Sequence, residues 1–179
     1  MNYKRTLTPL RYPGGKSKFS PFMVDIIEAN GLFGGHYMEP YAGGAGVAIN
    51  LLLNGVVSHI HINDVDPAIN KFWRSVIDDT DTLLRLLDQT PINMDQWYYW
   101  QKILEGKISA NNTELGFATL FMNRTNRSGI LKAGVIGGKK QDGKYKLGDR
   151  FNKVRIAELI KTIASYRDHI SVYSEDALS

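Results

Sequence analysis

The sequence predicts an α/β fold, a mostly parallel sheet with helices packed against it, on three observations. Short apolar runs of strand character alternate with helical runs through the first 80 residues. A glycine turn, Glu39-Pro40-Tyr41-Ala42-Gly43-Gly44-Ala45-Gly46, joins one strand run to a helical one. An acidic residue, Asp64, then closes the next apolar run, eighteen positions beyond Gly46. Strand, tight turn, helix, second strand and carboxylate is the order of a nucleotide-type pocket, with the carboxylate placed for ribose hydroxyls.

The elements follow in order. Ser20-Pro21 opens a helix through Glu28, with Ser20 expected as its N-cap and Asn30-Gly31 as its stop. His36 to Glu39 is a short strand, and Gly46 to Leu53 an apolar helix that ends at Asn54-Gly55. Val56 to Asn63 reads as a strand, after which Pro67 starts a helix over Ala68 to Ile77. From Asp81 to Met122 the pattern is helical, through Leu83 to Leu87, Trp97 to Trp100 and Leu115 to Met122. Lys132 to Leu147, with Gly137-Gly138 and Gln141-Asp142-Gly143-Lys144, is expected to be a loose hairpin or a mobile loop. Val154 to Tyr166 returns to a helix with Ile156, Leu159, Ile160 and Ile163 on one face, and His169 to Tyr173 is a last strand.

Composition narrows the class of protein. At 179 residues and 43% hydrophobic, the chain can bury one core, or one core with a small appended lobe. With no cysteine, disulfides and thiolate metal sites are excluded, as suits a reducing interior. No apolar run is long enough to span a bilayer, and Met1 to Arg5 leads into no signal-type segment, so a cytoplasmic protein without membrane association is expected. His59 and His61 alternate in a strand with no metal-ligand motif around them, so no metal is expected. The total charge of +4 conceals a block: Arg124 to Arg167 holds twelve Lys/Arg against three acidic residues. Such a block is either a surface for a polyanion or a solvated basic face.

Two familiar phosphate motifs are excluded. Gly15-Lys16-Ser17 ends like a P-loop, but that motif needs a glycine where this chain has Leu10. The adjacent Gly43 and Gly44 do not fit the dinucleotide spacing G-x-G-x-x-G. The helix that opens at Gly46 would still direct its positive end and free amides toward an anionic group.

Tyr12-Pro13-Gly14-Gly15-Lys16, Glu39-Pro40-Tyr41, Asn63-Asp64-Val65 and Asn123-Arg124 through Gly129 occur in the order found in Dam-like adenine N6 DNA methyltransferases, which the chain resembles. The resemblance implies a Rossmann-like class I methyltransferase core over 1–80, a helical and hairpin target-recognition lobe over 81–152, and a return to the core over 153–179. It implies S-adenosylmethionine as cofactor, held by Tyr12, Gly14, Gly15, Lys16, Glu39, Tyr41, Gly43, Gly44, Gly46 and Asp64. Asp176 resembles the residue at the adenine edge, or is a solvated chain end. The implied partner is duplex DNA. Arg forks read guanine and Asn pairs with adenine, which suits Asn123, Arg124, Asn126 and Arg127 to bases and Lys139, Lys140, Lys144 and Lys146 to phosphates. Asn123 and Arg124 could instead cap the preceding helix. Trp97 to Trp100 reads as core rather than as a base-stacking platform. The family's catalytic Asp-Pro-Pro-Tyr is absent, every one of the six prolines being isolated. The expectation is therefore the N-terminal part of a longer enzyme, inactive by itself, with a non-catalytic DNA-binding remnant or, less well matched, half of a nicotinamide oxidoreductase as alternatives.

Overall fold

The computed structural model describes residues 7–11 and 15–178. Three strands, β1 (His36–Glu39), β2 (His59–Asn63) and β3 (Ile170–Tyr173), form one parallel sheet in the order β1-β2-β3. Register sets Tyr37 beside Ile60 and Ile60 beside Ile170, so the inward row runs through Tyr37, Ile60 and Ile170, and the next through Glu39, Ile62 and Val172. His36, Met38, His59, His61, Ser171 and Tyr173 alternate onto the other face. Both crossovers step across the sheet in the same direction, and right-handed connections then put their helices on one side. Burial agrees with that rule: the isoleucine face is sealed, whereas Met38 is 56% exposed.

The open face is polar and cross-linked by side chains. His36 Nδ1 lies 3.0 Å from His61 Nε2, His61 Nδ1 lies 3.1 Å from the Tyr173 hydroxyl, and His59 Nε2 lies 2.9 Å from Ser171 Oγ. Burial, then the neighbouring His61, His36 and His169, holds His59 below the usual histidine range. Among the described residues no group of side chains could hold a metal ion.

The helices are α1 (Ser20–Ala29), α2 (Gly46–Leu53), α3 (Pro67–Asp78), α4 (Thr80–Gln89), α5 (Met94–Leu104), α6 (Asn112–Thr125) and α7 (Lys153–Ala164). The starts of α3, α5, α6 and α7 are marked by capping side chains. Asp66 accepts from Ala68 N–H ahead of Pro67, Asn93 from Gln96 N–H, and Asn152 from Arg155 N–H. Asn111 and Glu114 make a reciprocal capping box at α6. None of these helices is long and apolar enough to cross a membrane.

Three sequence expectations are corrected. Ser20 is the first residue of α1 rather than its cap, because a 3₁₀ turn over Lys16–Phe19 already runs into the helix. Val56 and Val57 lie outside β2: Val56 donates to Leu51 O and accepts from Gly34 N–H, so its backbone closes the turns around it. Residues 132–147 form no hairpin ladder, and the only β-bridge there pairs Asn126 with Val135. Gln141 closes this loop instead, donating from Nε2 to Ile136 O and Gly138 O and accepting from Leu147 N–H.

α6 is buried on nearly every side, between α3, α4 and α5. One apolar cluster runs from Leu10 through Ile60, Phe72, Leu83, Trp97 and Phe121 to Val172, so the helical segment after α3 shares its core with the sheet. The tightest approach is at Gly116 of α6, where an added Cβ would stand 2.7 Å from Lys71 O and 2.4 Å from Ser75 Oγ of α3. Gly116→Ala should therefore lower stability by roughly 1–3 kcal/mol, overpacking outweighing the gain in helix propensity of about 1 kcal/mol. Urea unfolding checks this, and a stabilised variant would mean that α3 and α6 do not pack so closely.

Candidate functional site

The carboxyl ends of the strands meet at one edge of the sheet. β1 ends at the buried Glu39, whose Oε2 accepts from the Ala48 N–H of α2 at 3.1 Å. That carboxylate therefore already answers part of the positive end that the sequence offers to an external anion. Between them the glycine turn is held by three contacts: Ala42 N–H to Asn63 O at 2.9 Å, Gly43 N–H to Asp64 Oδ2 at 2.8 Å, and the Trp73 indole N–H to Gly43 O at 2.9 Å. Gly43 has φ +47°, and Ala45, at the N-cap of α2, is also left-handed with φ +46°. A left-handed alanine costs on the order of 1–2 kcal/mol, so the surrounding contacts must hold it there.

Asp64 follows β2 and is half-buried. Its Oδ2 takes the Gly43 amide and its Oδ1 the Asp66 amide at 3.0 Å. Beside it Asn63 is enclosed, donating from Nδ2 to Pro40 O and Glu175 O and accepting from Glu175 N–H. β3 leaves the sheet along the same edge, with Asp64 N–H bonded to Tyr173 O, Asn70 Nδ2 to the same carbonyl and Arg74 Nη2 to Val172 O. Asp176 lies just past this exit, and its Oδ1 accepts from Leu178 N–H. Gly43, Gly44 and Gly46 are buried, and Tyr41 stands out from the turn at 59% exposure. Burial, then the Glu39 carboxylate, pushes the Tyr37 phenol up to about 12, so it stays neutral beneath the turn.

Tyr12 and Gly14 lie outside the described residues. Gly15 is exposed, and Lys16 begins the 3₁₀ turn that packs against α2. The 3₁₀ turn over Lys16–Phe19 is thus brought beside the helix that follows the second glycine turn.

Arg11, just ahead of that turn, is gripped from the opposite side. Asn123 accepts from Arg11 N–H at 2.7 Å and donates from Nδ2 to Arg11 O at 2.7 Å and to Gly129 O at 2.8 Å. One side chain here replaces a strand partner. Arg124 donates from Nε to Pro9 O at 2.7 Å and from Nη2 to the same carbonyl. Burial, then the nearby Arg11, lowers its guanidinium to about 10, which leaves it charged at neutral pH. Asn126 is 0% exposed, accepting from the Trp97 indole at 2.7 Å and donating to Ile130 O and Leu131 O.

The sequence-predicted recognition residues therefore divide. Asn123, Arg124 and Asn126 face inward and shape the segment, whereas Arg127, Lys139, Lys140, Lys144 and Lys146 lie on the surface. Sequence reasoning missed the linking roles of Asn63, Trp73 and Asn123. For Asn123 a signal was present, since an amide at the end of a helix as apolar as Leu115 to Met122 has to be buried and bonded. Asn126→Ala would leave the Trp97 N–H and two carbonyls without their partner, and should lower stability by at least about 2 kcal/mol. Denaturant titration checks this, and a loss below about 0.5 kcal/mol would show these bonds to be dispensable.

A parallel sheet that gathers a glycine turn, a carboxylate and a third strand exit at its carboxyl edge is the architecture of an α/β protein with its ligand site at the strand ends. The end of α6 is tied to Pro9 and Arg11. The chain belongs to the D12 class N6 adenine-specific DNA methyltransferases, whose family profile matches residues 12–179. A search of curated proteins finds no match to this chain.

Proposed function

We propose that this chain carries the cofactor-binding and target-recognition parts of a site-specific methyltransferase acting on N6 of adenine in duplex DNA, with S-adenosylmethionine as methyl donor. The observation that carries this is the Asp64 carboxylate held between the Gly43 and Asp66 amides at the strand ends, in a chain of this family. The residues fit such a cofactor. Each Asp64 oxygen accepts from a backbone amide, and a carboxylate offers about four lone-pair sites, so acceptors remain for ribose hydroxyls. The buried glycines keep side chains out of the turn. In this assignment Tyr12, Gly14, Gly15 and Lys16 complete the pocket, Glu39 fixes α2, Tyr41 flanks the methionine end, and Asp176 meets the adenine edge. The sheet is then the first part of a Rossmann-like class I core, with 81–152 as the target-recognition lobe and 153–179 returning to the core.

S-adenosylmethionine supplies an electrophilic methyl group, whereas adenine N6 is a poor nucleophile because its lone pair is delocalised into the ring. The base has to be flipped out and its amine hydrogen-bonded to free that pair. This sequence holds no Asp-Pro-Pro-Tyr to do so. The chain's own residues bind and orient: Asp64 holds ribose, and Arg127, Lys139, Lys140, Lys144 and Lys146 contact the duplex, the lysines through phosphates. Asn123, Arg124 and Asn126 act from behind, by fixing the recognition segment.

Asp64→Ala should reduce affinity for S-adenosylhomocysteine by about 1.5–3 kcal/mol while the fold persists, and unchanged calorimetric affinity would remove Asp64 from the site. Replacing Lys139 and Lys140 together with Ala should weaken duplex binding on every sequence alike and reduce the logarithmic salt slope by up to about 2. Retention assays over a salt series measure it. With cofactor and duplex both supplied, the 179-residue chain should transfer no tritiated methyl above background. Label incorporated by this chain alone would show that its catalytic group lies among these residues.

A further inference from the structure

Asn63 is the point where all three strand ends are joined. Its backbone carbonyl accepts from Ala42 N–H at 2.9 Å, within the glycine turn. Its side-chain amide donates to Pro40 O at 3.0 Å, at the start of that turn, and to Glu175 O at 2.9 Å. Its side-chain oxygen accepts from Glu175 N–H at 2.8 Å. The residue is 2% exposed, so water does not compete for these bonds. Both amide hydrogens and the carbonyl oxygen are thereby engaged by the segments that precede Tyr41 and Asp176.

Resting on the cofactor assignment above, we infer that Asn63 is a positioning residue that fixes the spacing between the two halves of the cofactor pocket. It touches neither half of the ligand. It holds the glycine turn, which serves the methionine end, at a set distance from the β3 exit, which serves the adenine end. A ligand that spans both subsites benefits from this preorganisation, whereas one that fills a single subsite does not. Aspartate at this position would keep an acceptor for Glu175 N–H but lose both donors and set a carboxylate against two carbonyls. Serine would lack the reach to serve Pro40 and Glu175 together.

The test compares S-adenosylhomocysteine, which spans the pocket, with adenosine, which occupies one side. Calorimetry on the full chain well below its unfolding temperature should show Asn63→Ser and Asn63→Asp weakening S-adenosylhomocysteine about tenfold or more and adenosine less than about threefold. Leu83→Ala, a core change in α4 away from the strand ends, should lower stability and leave the ratio of the two affinities at the wild-type value. Equal losses for both ligands, or none, would overturn the inference and leave the cofactor assignment intact. Wild-type protein that binds no S-adenosylhomocysteine would overturn that assignment and this inference with it. Should the variants not fold, hydrogen exchange on the wild type decides. Saturating adenosine should slow the amides of residues 42–46 as well as those of 174–178, and protection confined to 174–178 would show the two sides to be independent.

Discussion

The parallel register of β1, β2 and β3 is the constraint on which the rest of the structure depends. Because Glu39 lies beside Ile62 and Asn63 beside Tyr173, the three chains leave the sheet at nearly the same level. A one-residue slip would turn Ile60 and Ile62 to the open face and the histidines into the core. It would also carry Asn63 and Asp64 away from the glycine turn. The same register thus seals the core and brings the glycine turn, Asn63 and Asp64 together, which ties that cluster to the stability of the sheet.

A second joint depends on it in turn. The chain ahead of the upstream glycine turn has no strand partner among the described residues, yet Pro9 and Leu10 are buried. Their neighbourhood is organised by α6: Arg124 reaches the Pro9 carbonyl, Asn123 grips Arg11, and Gly129 comes so near that an added Cβ would stand 2.2 Å from Arg11 O. Burying a guanidinium is costly in general, and here the Pro9 carbonyl, accepting from two of its nitrogens, offsets part of the cost. Movement of residues 123–129 would therefore be felt directly at Pro9 and Arg11.

Much of this was legible in the sequence because local signals and tertiary context agreed. β1 and α2 have the limits expected, His36 to Glu39 and Gly46 to Leu53, since alternation, an all-apolar helix and Asn54-Gly55 all point one way. Asp64 follows β2 directly and bonds the glycine turn at Gly43, the placement that its spacing from that turn suggests. Less legible were the side chains that bond loop backbone outside any helix or strand ladder. Asn123 and Asn126 carry the chemistry of base readers, and although the apolar helix before Asn123 says that its amide must be bonded, it does not say that the partners are Arg11 and Gly129, or for Asn126 Ile130 and Leu131. Residues 132–147 read as a loose hairpin or a loop because their glycines suit a turn, and the loop forms, with Gln141 satisfying backbone groups that a ladder would otherwise pair.

The Trp73 indole makes the glycine turn optically visible. Two of the three tryptophans donate to the regions of interest, Trp73 to Gly43 O and Trp97 to Asn126 Oδ1. Indole emission is sensitive to whether the ring N–H is bonded and dry. Each region thus contains its own fluorophore, one bonded to the glycine turn and one to Asn126, about thirty residues from its partner in sequence in either case. Single-tryptophan versions of the chain would separate events at the glycine turn from events at the end of α6 without any added label.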